Sequence, residues 1–173
     1  IAGAYAFNSR RNVAPTIRVE DATTGSSDPL FTAPHFALVD QNGKQFTDDQ
    51  LRGHPWVAGF VFTHCAGPCP MMFSKLKQMQ SAVSNPNMKL VTFTVDPERD
   101  TPDVLKKKLA DLGADESRWI FLTGEKSAID AVARGMLQPK AQDGDSPLLH
   151  STNLLLFDAQ GIRFAAPGGW HVR

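Results

Sequence analysis

Trp56-Val57-Ala58-Gly59-Phe60-Val61-Phe62-Thr63-His64-Cys65-Ala66-Gly67-Pro68-Cys69-Pro70 contains both cysteines of the chain. The unbroken apolar run from Trp56 to Phe62 reads as a strand buried on both faces. It feeds a tight Gly-Pro turn carrying two thiols, and Pro70 stands where a helix can begin. A cysteine at a helix N-terminus feels unpaired N–H groups and the positive end of the macrodipole. Both favour thiolate over thiol, and with it disulfide exchange and metal binding. The plain alternatives are one structural disulfide or two small buried residues.

Downstream, Met72, Leu76, Met79 and Val83 fall at i, i+4, i+7 and i+11, one face of a helix ending near Asn85-Pro86. These methionines read first as core. Met71 and Met72, beside the thiols, also keep a thioether contribution to copper binding in view. Leu90 to Val95 is a second buried strand, ending in Asp96-Pro97-Glu98-Arg99-Asp100-Thr101-Pro102. There Thr101 suits an N-cap, Pro102 the first helical position and Gly113 the helix end. Trp119 to Leu122 is a short apolar run, Ser127 to Met136 a further helix, and Gln138 to Pro147 a polar loop. His150-Ser151-Thr152 leads into the apolar Asn153 to Phe157, and Asp158-Ala159-Gln160-Gly161 turns into Ile162-Arg163-Phe164.

Upstream, His35 to Val39 and Lys44 to Phe46 flank Asn42-Gly43, which supplies the two positive-φ positions of a tight hairpin. Thr47 to Leu51 offers an N-cap and a helical turn, broken by Gly53-His54-Pro55. Asn8 to Leu30 carries no sustained period, and 1–30 reads as a tail or post-anchor segment, leaving 31–173 as the domain. The order hairpin, βαβ, α, hairpin predicts an α/β thioredoxin-like sandwich: a central mixed sheet flanked by helices, with an extra N-terminal β-hairpin.

Composition narrows the function. The chain has 173 residues and is 42% hydrophobic, enough for one full core. Eighteen basic residues balance eighteen acidic ones with no basic stripe, which argues against nucleic acid or an anionic membrane surface as partner. Lys106-Lys107-Lys108 reads as a solvated helix face. Two cysteines exclude a four-thiolate zinc site and a disulfide-rich scaffold. Ile1 in place of methionine predicts a processed or trimmed form with any signal or anchor upstream, and the apolar Ile1 to Phe7 is too short to span a bilayer.

Three residues separate the cysteines, where a dithiol exchange catalyst has two. The wider spacing still allows a disulfide. It also lets both thiolates open to one side as a soft pincer, which suits Cu(I). In thioredoxin-like folds the loop before the last hairpin packs over the thiol pair, and oxidoreductases carry a cis-proline there. This chain has His150 at that place, so Cys65, Cys69 and His150 form a three-ligand set; the plain reading of His150 is a hydrogen-bonded loop residue.

In Leu51-Arg52-Gly53-His54-Pro55, Phe62 to Pro70, Val95 to Pro102, Leu122-Thr123-Gly124 and His150-Ser151, the chain resembles the Sco (SenC-like) copper chaperones of cytochrome c oxidase assembly. The resemblance implies copper ligands at Cys65, Cys69 and His150 and a cytochrome oxidase copper-site subunit, or another copper or thiol carrier, as partner. It also implies an N-terminal anchor holding the domain on the periplasmic or intermembrane-space side of a membrane. Asp96, in the Asp-Pro motif, looks like a residue that supports copper transfer, although a carboxylate ending a strand equally serves a turn. The family's longer C-terminal helix has no counterpart in Pro167 to Arg173. His64 is an extra imidazole beside Cys65, whereas His35, His54 and His171 have no partners at ligand spacing. Two other classes stay open: a thiol-disulfide oxidoreductase or thiol peroxidase acting on a client's cysteines, and a permanent Cys65–Cys69 staple on an interaction module.

Overall fold

The structure is a computed structural model that describes residues 31–137 and 154–164. In chain order the elements are β1 (Phe31–Thr32), β2 (Ala37–Asp40), β3 (Gln45–Thr47), a 3-10 turn (Asp48–Leu51), β4 (Trp56–Val61) and α1 (Cys69–Ala82). They continue with β5 (Lys89–Thr94), α2 (Pro102–Asp111), β6 (Trp119–Thr123), α3 (Lys126–Leu137), β7 (Leu155–Phe157) and β8 (Ile162–Phe164). The described strands form one mixed sheet in the order β1-β8-β7-β4-β5-β6-β2-β3. Its centre, β4-β5-β6, is parallel, and β7 and β2 pair antiparallel on either side.

All six residues of β4 are buried, as an apolar run without alternation requires. Successive side chains feed two cores. Trp56, Ala58 and Phe60 pack with Ile129, Val132 and Met136 of α3. Val57 and Val61 pack with Met72, Leu76 and Met79 of α1 and Leu105 and Leu109 of α2. The two β-α-β crossovers therefore lie on one face, and α3 packs on the other. The expected helical stripe Met72, Leu76, Met79 and Val83 is buried throughout. Met72 belongs to that core, while Met71, next to it in sequence, is half exposed.

The hairpin turns differ from the two-residue Asn-Gly turn that the sequence predicts. The Asp40 N–H donates to Lys44 O and the Gly43 N–H to Asp40 O, so three residues form the loop. Asp40 Oδ1 accepts from the Asn42 and Lys44 N–H groups at 2.8 and 2.9 Å. The second hairpin repeats the arrangement, with Asp158 Oδ1 accepting from the Gln160 and Ile162 N–H groups. Gly43 and Gly161 take the positive φ, 74° and 78°, that closes each bulge. The acidic residue opening the turn thus fixes its type. β1, within the start of the predicted domain but unforeseen as a strand, pairs with β8 at the sheet edge. Thr101 holds the N-cap position of α2 without a side-chain capping bond, and Pro102 follows as expected.

The β4–β7 register, Ala58 opposite Leu155, brings Leu154 against Gly59 near the carboxyl end of β4. A Cβ at Gly59 would lie 3.2 Å from Leu154 Cδ2, 3.7 Å from Met72 Cε and 3.8 Å from Leu76 Cδ1. Gly59→Val is expected to overpack this crossing and cost about 1–3 kcal/mol in urea unfolding at unchanged slope, with Gly59→Ala costing less. Wild-type stability in the valine variant would show that Leu154 is free to move aside.

Candidate metal centre

The thiol loop starts where β4 runs out of sheet. The Val95 N–H donates to Val61 O at 2.9 Å, extending the β4–β5 pairing by one bond, after which the two chains part. The Cys65 N–H then turns back onto Phe62 O at 3.4 Å, and Met72 N–H to Pro68 O at 3.2 Å opens α1. Pro68 is the N-cap, Cys69 the first helical residue and Pro70 the next. A proline there removes an N–H that would otherwise lack a helical partner.

Both thiols are free; Cys65 is half-buried and Cys69 buried. Burial pulls the Cys65 thiol upward, but hydrogen bonds outweigh it, and its pKa lies below the ordinary thiol value. Those bonds come from the Cys69 thiol, the Cys69 N–H and the Gly67 N–H, the last at 3.4 Å. Cys69 is pushed up to about 11. Burial is the main cause, opposed by a backbone hydrogen bond from Phe62 and reinforced by the Cys65 thiol and the negative charges of Cys65 and Asp100. At Cys69, the first helical residue, burial raises the pKa against the thiolate preference expected of a helix N-terminus. The thiol of lowered pKa is Cys65, four positions earlier and outside the helix.

The carboxylate that touches the loop is Asp100, which the sequence reading passed over. It is fully buried. Its Oδ2 accepts from the Thr63 N–H at 3.0 Å and the Thr94 hydroxyl at 2.6 Å, and its Oδ1 accepts from the Thr63 hydroxyl. Three donors from the ends of β4 and β5 therefore converge on one carboxylate. No residue pattern singles it out, because Asp100, directly before the N-cap Thr101, reads as one more acidic residue of the turn.

Asp96 is half-buried in the turn after β5. Its carbonyl accepts from the Arg99 and Asp100 N–H groups, and its carboxylate pairs with Arg99 at 3.2 Å. These contacts are those of a turn residue that places Asp100. His64 is exposed, with Nδ1 at 3.0 Å from Thr63 Oγ1 and 3.9 Å from Asp100 Oδ1. His35 and His54 are engaged elsewhere, by Asp48 and by the carbonyl of Asn87. His150 lies outside the described residues. Among the described residues no three His, Cys, Asp or Glu side chains converge as a metal-binding group. Two thiols of unequal acidity on one loop remain, and two soft donors suit copper better than a hard cation.

The SCO1/SenC family profile matches residues 24–166. The SCO1 protein homolog of Bacillus subtilis is 31% identical over 140 residues, covering 78% of this chain and 72% of the relative. The crystal structure of a SCO1/SenC family lipoprotein from Bacillus anthracis has 28% identity and a TM-score of 0.71, covering 81% of this chain and 85% of that one. Bradyrhizobium japonicum ScoI with copper bound has 29% identity and a TM-score of 0.64, covering 79% and 88%. Of seven further curated relatives, the chain spans 44% to 65% of the length. The expected thioredoxin-like sandwich is the fold of this group.

The unequal thiols predict unequal alkylation. In the reduced protein, iodoacetamide is expected to modify Cys65 first, with a pH midpoint below that of an ordinary thiol, and to leave Cys69 largely unmodified below about pH 11. Peptide mapping that found both labelled at one rate would contradict this assignment.

Proposed function

Because this chain belongs to the SCO1/SenC family, we propose that it is a copper-binding chaperone that holds copper on Cys65, Cys69 and His150 and assists assembly of a cytochrome oxidase copper site. The observation that carries this reading is the pair of free, unequal thiols at the carboxyl end of β4, held from below by a buried carboxylate. His150 precedes Leu154 by four residues, and Leu154 lies against Gly59 of β4.

Copper is the cargo, and the chain's own residues decide when it is accepted. Both sulfurs must lose their protons to act as thiolate donors, so loading releases protons and weakens as pH falls. Cys65 gives up its proton readily; Cys69 holds its proton until the metal displaces it. Loss of two electrons and two protons converts the pair to a disulfide, whose sulfurs are no longer thiolate donors. Metal occupancy and redox state are thereby coupled. Asp96 is assigned a supporting role at the mouth of the site, through the turn that places Asp100.

The client in this reading is the copper-site subunit of the oxidase or another carrier, met on the periplasmic or intermembrane-space side. No helix among the described residues is long and apolar enough to cross a membrane. Attachment in this reading belongs to a segment N-terminal to the domain.

The thiol asymmetry also favours a second reading, a thiol-disulfide reductase in which Cys65 attacks and Cys69 resolves. His150→Ala separates the two. A chaperone variant should lose most Cu(II) affinity, because Cu(II) favours imidazole, while dithiol exchange survives. A reductase variant should exchange more slowly with copper uptake unaltered. For the wild type we expect about one copper per reduced chain and none on the disulfide form. A reduced protein that takes up no copper would defeat the chaperone reading.

A further inference from the structure

We infer that His64 is the capture ligand for copper, held by the Asp100–Thr63 hydrogen-bond chain with its Nε2 lone pair facing outward beside Cys65. The inference rests on the copper reading above and adds a residue to it. Its starting point is a count of protons. Thr63 has a single hydroxyl proton, which goes to Asp100 Oδ1. Thr94 cannot take over that role, because its hydroxyl already donates to Asp100 Oδ2 at 2.6 Å while accepting from the Asp96 N–H at 3.0 Å. Asp100 is thus surrounded by donors, and the oxygen of Thr63 has only lone pairs left to offer.

His64 Nδ1 lies 3.0 Å from that oxygen. In the neutral imidazole this makes Nδ1 the protonated nitrogen and leaves the lone pair on Nε2. The pattern is that of a metal-binding histidine, whose other ring nitrogen donates to an oxygen that fixes tautomer and ring orientation. Here the oxygen is a hydroxyl, itself held by a buried carboxylate, so the chain of orientation runs from the core to the surface. The His64 side chain is 60% exposed, Cys65 is half-buried and Cys69 is 4% exposed. Copper arriving from solvent or from a donor therefore meets His64 and Cys65 before it reaches Cys69. An imidazole at the first contact keeps the metal coordinated while it passes inward to the buried Cys69. In this role His64 sets the rate of loading and leaves the final affinity to the deeper ligands.

The test uses the reduced protein and Cu(I) supplied as its bicinchoninate complex, whose loss of colour reports transfer in stopped flow. His64→Gln is expected to load roughly 10- to 100-fold more slowly, with equilibrium Cu(I) affinity and thermal stability at wild-type values. Thr63→Val, which keeps the shape but removes the hydroxyl, should slow loading by about tenfold, and Thr63→Ser should restore it. In the metal-free protein at pH 8, nitrogen NMR should show His64 protonated at Nδ1 in the wild type and in Thr63→Ser, and a mixture of tautomers in Thr63→Val. Equal loading rates for wild type and His64→Gln overturn the inference while leaving the copper reading intact. A His64 protonated at Nε2, or a Thr63→Val protein that loads at the wild-type rate, overturns the orienting chain and the inference with it. Failure of the wild type to take up any copper instead overturns the copper reading itself.

Discussion

One buried carboxylate holds the thiol loop to the sheet. Asp100 has no exposure and receives the Thr63 N–H, the Thr63 hydroxyl and the Thr94 hydroxyl. Burying a carboxylate is costly unless donors replace its hydration, and here three donors do so from two strands. The energetic asymmetry is large: each donor left without an acceptor costs about 1–3 kcal/mol, more than the same bond contributes on average. The loop therefore leaves β4 in one direction, and Cys65 and His64 follow from Thr63 within two residues.

The sheet explains why that carboxylate is available. β4 and β5 are parallel, so their carboxyl ends open on the same edge, one into the thiol loop and the other into the Asp96 to Asp100 turn. The last shared bond, Val95 N–H to Val61 O, keeps the two loops together before they diverge. β7 approaches the other side of β4 antiparallel, so its beginning meets the same strand end, with Leu154 on Gly59. Ligands in open α/β sheets gather at such carboxyl ends because neighbouring loops diverge there and leave a crevice.

Burial also divides the work between the two sulfurs. Cys69, at the start of α1, sits among Val61, Met72 and Phe73 in the core, and burial raises its pKa. Cys65 stays outside the helix, where the Gly67 and Cys69 donors stabilise its negative charge. Met71 and Met72 divide in the same way: Met72 fills the space above Gly59, and Met71 faces solvent. Adjacent positions on a helix point about 100° apart, so one register decides both.

Much of the fold was legible in local patterns. The continuous Trp56 to Phe62 run fixed a strand buried on both faces, the Met72, Leu76, Met79 and Val83 spacing fixed the inner face of α1, and Thr101-Pro102 marked the start of α2. These signals are local, because burial on one or two faces imposes its period directly on the residues concerned. The Cys65, Cys69 spacing likewise placed the thiols on one loop. What the chain order could not reveal was distance in space and competition between neighbours. Asp96 and Asp100 look equivalent in Asp96-Pro97-Glu98-Arg99-Asp100, yet only Asp100 is turned beneath Thr63, because the turn after β5 folds back on its own N–H groups. The Asp40 and Asp158 turns outweighed the Asn-Gly signal through side-chain acceptors two and four residues away. The order of thiol acidity was decided by the burial of Cys69 at the start of α1, a property of the packed structure that no local pattern reveals.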